Sequence, residues 1–145
     1  MTTMTALTTQ VYSVFSRATP EQVWDAITKP EFTQQYFFGA RIEVRDGRRF
    51  SAISDVEWDE KVFEADPPHK LVHGWISAYD SDMAAEDASR VTWEIEPQDG
   101  GITKLTVVHD QLEGAPKTTE SVAGGWMYVL SGLKTLLETG KPLAG

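Results

Sequence analysis

The sequence predicts an α+β fold: a curved antiparallel sheet of about six or seven strands around one long C-terminal helix, with two short helices after the first strand. Three observations predict it. Near the C-terminus, Val122, Trp126, Val129, Leu130, Leu133 and Leu137 recur at helical spacing and form one apolar stripe. From Ala40 to about Leu112 the apolar period is two, interrupted by turn residues, as in an antiparallel meander. Between the first strand-like segment and that meander lie two strong helix starts, at Thr19-Pro20 and at Pro30.

Val11 to Arg17 alternates, with Val11, Ser13, Phe15 and Arg17 on one face and Tyr12, Val14 and Ser16 on the other. Thr19 caps the next segment, Pro20 suits the first helical position, and Gln22 completes a capping box. Val23, Trp24 and Ile27 supply its apolar face. Pro30 opens the second short helix, predicted to run to about Phe38 with Gly39 as its stop. Asp46-Gly47 joins the first two strands of the meander as a hairpin pair. Pro67-Pro68 ends the third, because proline lacks the amide that a ladder needs. Residues 79–88 are acidic and unpatterned, and are expected to be a mobile surface loop. RVTWEIEP alternates Val91, Trp93 and Ile95 against Thr92, Glu94 and Glu96, and Asp99-Gly100-Gly101 turns into the last strand. The long helix is expected from Ser121 or Val122 to Glu138, with Gly140 as its cap. A stripe of that size has to be buried, and the sheet is the partner available. The expected organisation is a flexible segment at 1–10, a single domain at 11–140 and a tail at 141–145.

Composition narrows the function. The chain has 145 residues, no cysteine and a net charge of −9. Disulfides and thiolate metal sites are excluded. An acidic chain repels nucleic acid and anionic membrane, so neither is expected as a partner. The basic cluster Arg45, Arg48 and Arg49 surrounds the Asp46-Gly47 turn and reads as a solvated turn. No apolar run reaches the length of a membrane span, and MTTMTALTTQ lacks the basic and apolar regions of a signal peptide, so a cytoplasmic protein is expected. No phosphate-binding loop, dinucleotide fingerprint, nucleophile elbow or HExxH pattern occurs. No metal and no cofactor are expected.

Several segments resemble one family in order. TPEQVWDAIT resembles the opening of the branch of START-like proteins named for activators of the 90-kDa heat-shock chaperone ATPase. FEADPPHKLVHGW resembles its double-proline turn and the strand that follows. GITKLTVVHDQL, then GGW and LSGLKTLLE, resemble its last strand and helix. The resemblance covers about residues 11–138. It implies a helix-grip (START-like) fold whose sheet and long helix enclose a cavity. It also implies the functions spread over that superfamily: hydrophobic-ligand carriage, cyclase-type chemistry, or a chaperone partner in a stress response. The named chaperone activator resembles this chain only in its C-terminal domain, and its separate chaperone-binding N-terminal domain is not expected here.

Candidate site residues follow from that cavity and from face-sharing along the strands. His73 shares a face with Leu71 and Trp75, and His109 with Leu105 and Val107; His69 follows Pro68 and is expected to be exposed. Trp75, Trp93 and Trp126 lie on elements that face one another. Tyr36, Phe37 and Phe38 are expected at the cavity mouth, and Tyr128 away from the sheet. The ligand-binding set is therefore Phe37, His73, Trp75, Trp93, His109 and Trp126. The strand carboxylates, Glu57, Asp59, Glu60, Glu64, Glu94 and Glu96, read as solvated. The leading expectation is binding of a small hydrophobic or aromatic molecule. The alternatives are a cyclase or hydro-lyase using His73 or His109 as acid/base, and a chaperone-activating or other protein-interaction domain. Homodimerisation stays open.

Overall fold

The computed structural model describes residues 9–144. The chain runs β1 (Gln10–Ser16), α1 (Pro20–Thr28), α2 (Pro30–Tyr36), β2 (Arg41–Arg45), β3 (Arg48–Ile53), β4 (Val56–Asp66), β5 (Lys70–Trp75), α3 (Ser81–Ala84), β6 (Ser89–Pro97), β7 (Thr103–Asp110) and α4 (Pro116–Thr139). The seven strands form one antiparallel sheet in the order β1-β7-β6-β5-β4-β3-β2. Six of them are the predicted meander, and β1 closes its far edge against β7. Most of segment 1–10 lies outside the described residues; Gln10 is already in β1 and buried. Of the 141–145 tail, residue 145 lies outside them as well.

Alternation decides which side chains face the helix. In β6, Val91, Trp93 and Ile95 are buried, and in β7 so are Thr103, Leu105, Val107 and His109. In β1, Val11 and Phe15 point outward and are exposed, while Tyr12 and Val14 pack against the core. The Asp46-Gly47 hairpin forms as expected, with both residues at positive φ (53° and 74°), the primed geometry that follows the strand twist. The capping box at Thr19 and Gln22 is present in both directions.

Helix α4 buries Val122, Trp126, Val129, Leu130, Leu133 and Leu136. Leu136, not Leu137, completes the stripe; Leu137 is half-buried at its edge. The helix begins at Pro116, about a turn and a half before the apolar pattern starts. Its first turn is Pro, Lys, Thr and Thr, so periodicity gives no sign of it. The missing signal lies in residues 79–88. That stretch is no unanchored loop. Asp80 caps the one-turn helix α3 by accepting from the amides of Asp82 and Met83. Glu86 accepts from the Lys117 and Thr118 amides and from the Thr118 hydroxyl. The residue before α4, Ala115, has no capping side chain, so Glu86 supplies an acceptor to first-turn amides that lack an intrahelical partner. Helix α2 ends at Tyr36, earlier than expected, because Phe38 and Gly39 take positive φ to turn the chain into β2.

Candidate functional site

Helix α4 packs on β1, α1 and α2, and a gap remains between it and the inner faces of β2–β5. The gap is a cavity of about 320 Å³. Val122, Gly125, Trp126 and Val129 of α4 form one wall; Ala40, Ile42, Ile53 and Trp75 face them from the sheet side. Phe37 and Phe38, between α2 and β2, and Ile76 and Tyr79, after β5, complete the rim. Phe38 is exposed and stacks on Tyr128 with ring centroids 5.2 Å apart.

The floor carries a buried ion pair. Arg49 projects from β3 and Glu60 from β4, and the two residues are cross-strand partners. Both side chains are 2% exposed. Arg49 Nη1 donates to Glu60 Oε1 at 3.3 Å, and the Ile76 amide donates to Oε2 at 3.0 Å. The guanidinium lies 5.3 Å from the Trp75 ring and 5.6 Å from the Phe37 ring. Burial holds the Glu60 carboxyl above its usual range despite Arg49 beside it. Next along the two strands, Ser51 pairs with Trp58. Arg49 Nε, Arg49 Nη2 and Ser51 Oγ are buried without a hydrogen-bond partner, and the Trp58 indole N–H is directed to the Glu60 carboxyl.

This pair corrects the sequence reading at two residues. Arg49 is not part of a solvated turn, and Glu60 is not on a solvated face. The signal was the twofold period itself. Trp58, Glu60 and Val62 share one face of β4, as Arg49, Ser51 and Ile53 do on β3, so the charges inherit the burial of their apolar neighbours.

The six candidate residues divide into two layers. Phe37, Trp75 and Trp126 line the cavity. His73, Trp93 and His109 do not; they form a packed polar-aromatic layer beside it, filled by indoles and imidazoles hydrogen-bonded to one another. The Trp93 Nε1–H donates to His73 Nε2 at 2.9 Å, and His73 Nδ1 meets the Gly74 carbonyl at 2.7 Å. The Trp126 Nε1–H donates to His109 Nδ1 at 3.0 Å, and His109 Nε2 meets Ser89 Oγ at 2.8 Å. An indole nitrogen only donates, so each imidazole is neutral with its proton on the other nitrogen. Burial pushes the His109 pKa down to about 4 and that of His73 well below its ordinary value. Tyr36 is not at the mouth: it is buried, and its hydroxyl donates to the Ala26 carbonyl at 2.7 Å. His69 is exposed, as expected.

With this geometry in place, comparison decides the family. The sequence profile described as "Activator of Hsp90 ATPase homolog 1-like protein" matches residues 17–138. The chain belongs to this family. Solved structures similar to this family member share its fold. A conserved protein of unknown function from Enterococcus faecalis superposes with a TM-score of 0.74 at 18% identity, covering 94% of this chain and 75% of that one. CalU16 from Micromonospora echinospora gives 0.70 at 20% identity, covering 94% and 77%. An HSP90 activator from Plasmodium falciparum gives 0.72 at 22% identity, covering 90% and 96%. No match was found among curated proteins. The helix-grip fold is thus established. Among the described residues no group of three His, Asp or Glu side chains is placed to hold a metal, and no helix is long and apolar enough to cross a membrane.

Proposed function

We propose that this family member binds a small apolar or aromatic molecule in the cavity between α4 and β2–β5. The observation that carries the reading is the cavity itself. A partly open, mostly apolar pocket set into a packed core is the usual form of a small-molecule site. Here the Trp126 ring lies 5.4 Å from both Trp75 (tilted) and Trp93 (edge-on), yet a gap of about 320 Å³ persists beside them. Its size and mostly apolar walls suit one small ring-bearing ligand. The acid/base alternative is less favoured, because both nitrogens of His73 and of His109 are already engaged in the core.

The test uses N-phenyl-1-naphthylamine, a neutral fluorophore that brightens in apolar surroundings. Gly125 lines the cavity from α4, and a side chain there would grow toward Phe38. The wild-type chain is expected to bind the dye saturably. Gly125→Leu is expected to abolish binding while keeping its unfolding midpoint, since leucine is the better helix former. Undiminished binding in the folded variant would place the dye elsewhere and refute the reading.

A second reading, interaction with a heat-shock chaperone, is favoured by the family's description and by the likeness to the Plasmodium falciparum HSP90 activator. It predicts stimulation of a chaperone ATPase by the added chain. No stimulation at saturating concentration would count against it.

A further inference from the structure

We propose that the ligand of this cavity carries a carboxylate, received by the free Nε–Nη2 edge of Arg49. The inference rests on the cavity-binding reading and adds the chemical class of the molecule bound.

Arg49, Ser51, Trp58 and Glu60 form one polar block in an otherwise apolar wall: two residues on β3 and their two cross-strand partners on β4. Glu60, the acceptor of the block, already receives Arg49 Nη1 and the Ile76 amide. What remains is a surplus of donors. Arg49 Nε and Nη2 can only donate, and Ser51 Oγ can donate, while the Trp58 indole N–H is directed to the Glu60 carboxyl. Buried polar groups are nearly always partnered, so three orphans in one block beside a cavity, two of them on one guanidinium, point to an acceptor-bearing guest.

The shape of the surplus narrows the guest further. Nε–H and Nη2–H run side by side along one edge of a planar guanidinium, the spacing of the two oxygens of a carboxylate. The same chain shows the pairing elsewhere: Arg90 Nε and Nη2 donate to the two carboxylate oxygens of Asp110. At Arg49 that edge is unengaged, and the side chain is 2% exposed. The rings of Phe37 and Trp75 lie over the guanidinium, so the group attached to the carboxylate meets aromatic walls.

The charges can balance. Arg49 and Glu60 are neutral together, so an arriving carboxylate adds one negative charge. Burial already favours the protonated form of Glu60. A second carboxylate on the same guanidinium favours it more, and a proton taken up by Glu60 keeps the block neutral. Of the neighbouring titratable groups, His73 and His109 are held neutral by their tryptophan partners, and the Tyr36 phenol is buried, which raises its pKa and keeps it protonated.

Isothermal titration calorimetry with 2-naphthoate, 2-naphthamide and naphthalene tests the proposal. Naphthoate is expected to bind about tenfold or more tightly than the other two, the range for a hydrogen bond to a charged group. Arg49→Lys keeps the charge beside Glu60 but lacks the two-pronged edge, and is expected to lose that preference. Arg49→Met/Glu60→Met removes the ion pair with no charge left unpaired and is expected to lose it too; thermal unfolding confirms that each variant is folded. If naphthamide or naphthalene binds wild type as tightly as naphthoate, or if the preference survives Arg49→Lys, the carboxylate assignment falls while the cavity reading stands. If none of the three binds, the cavity reading falls with it.

Discussion

The Trp126 indole N–H donates to His109 Nδ1, and this contact ties the long helix to the last strand through a neutral imidazole. It follows that stability depends on pH. The folded His109 has its pKa depressed by burial to about 4, against about 6.5 in an unfolded chain. Between those values the unfolded state binds a proton that the folded state refuses, so stability rises with pH across the window. The contribution is complete above about pH 6.5 and is lost progressively as the pH falls toward 4. His73 acts in the same direction. Glu60 acts in the opposite direction, because a carboxyl raised by burial favours the folded state at low pH. The comparison of wild type with His109→Gln isolates the histidine. From about pH 7 to pH 5 the wild type is expected to lose roughly 2 kcal/mol more than the variant in urea unfolding. Parallel pH profiles would show that His109 does not titrate as described.

The same contact predicts the effect of removing one atom type. Trp126→Phe keeps an aromatic ring against Trp75 and Trp93 but removes the N–H, leaving an imidazole nitrogen buried without a partner. The cost is expected to exceed that of the lost volume by roughly 1–3 kcal/mol. Trp93→Phe should behave alike through His73. The variants with His109→Gln and Trp126→Phe, alone and together, measure the coupling in a double-mutant cycle. Additive effects would argue against a direct bond.

What could be read from the sequence was set by range. The period-two strands, the Asp46-Gly47 hairpin, the capping box at Thr19 and the amphipathic stripe of α4 are local, and they appear where the residues place them. Arg49 and Glu60 depart from the expectation because phase along the strand, not charge, sets their burial: each sits in step with apolar neighbours on a strand whose inner face is buried. Whether an inward residue lines the cavity or is sealed in the core depends on which side chains from other elements pack on it. That separates Phe37, Trp75 and Trp126 from His73, Trp93 and His109, whose ring nitrogens are bonded within the core, and it is a property of packing between elements remote in sequence. Glu86 capping α4 from 31 residues before Lys117 is equally non-local.

Glu86 therefore gives a prediction for the junction of α3 and α4. Its hydrogen bonds from Lys117 and Thr118 outweigh its desolvation and hold its pKa below the usual carboxylate value. Glu86→Ala is expected to speed amide exchange at Lys117 and Thr118 and to lower the unfolding midpoint slightly, with the core strands unaffected. Unchanged exchange at those two amides would mean that Ala115 and Pro116 start the helix without help.

The Arg49–Glu60 pair predicts strong non-additivity. Either charge alone would be left in a site 2% exposed, so Arg49→Met and Glu60→Met are each expected to cost about 3–5 kcal/mol. The double replacement removes both charges and the orphaned Arg49 donors at once, and fills the floor with apolar side chains of similar length. It is expected to recover most of that loss, and to equal or exceed wild type if repacking is good, since apolar replacements of buried ion pairs are often neutral or stabilising. Chemical denaturation of the four proteins in the cycle measures this. Single losses below about 1 kcal/mol that simply add would be the behaviour of a solvent-exposed pair, and would contradict a buried floor.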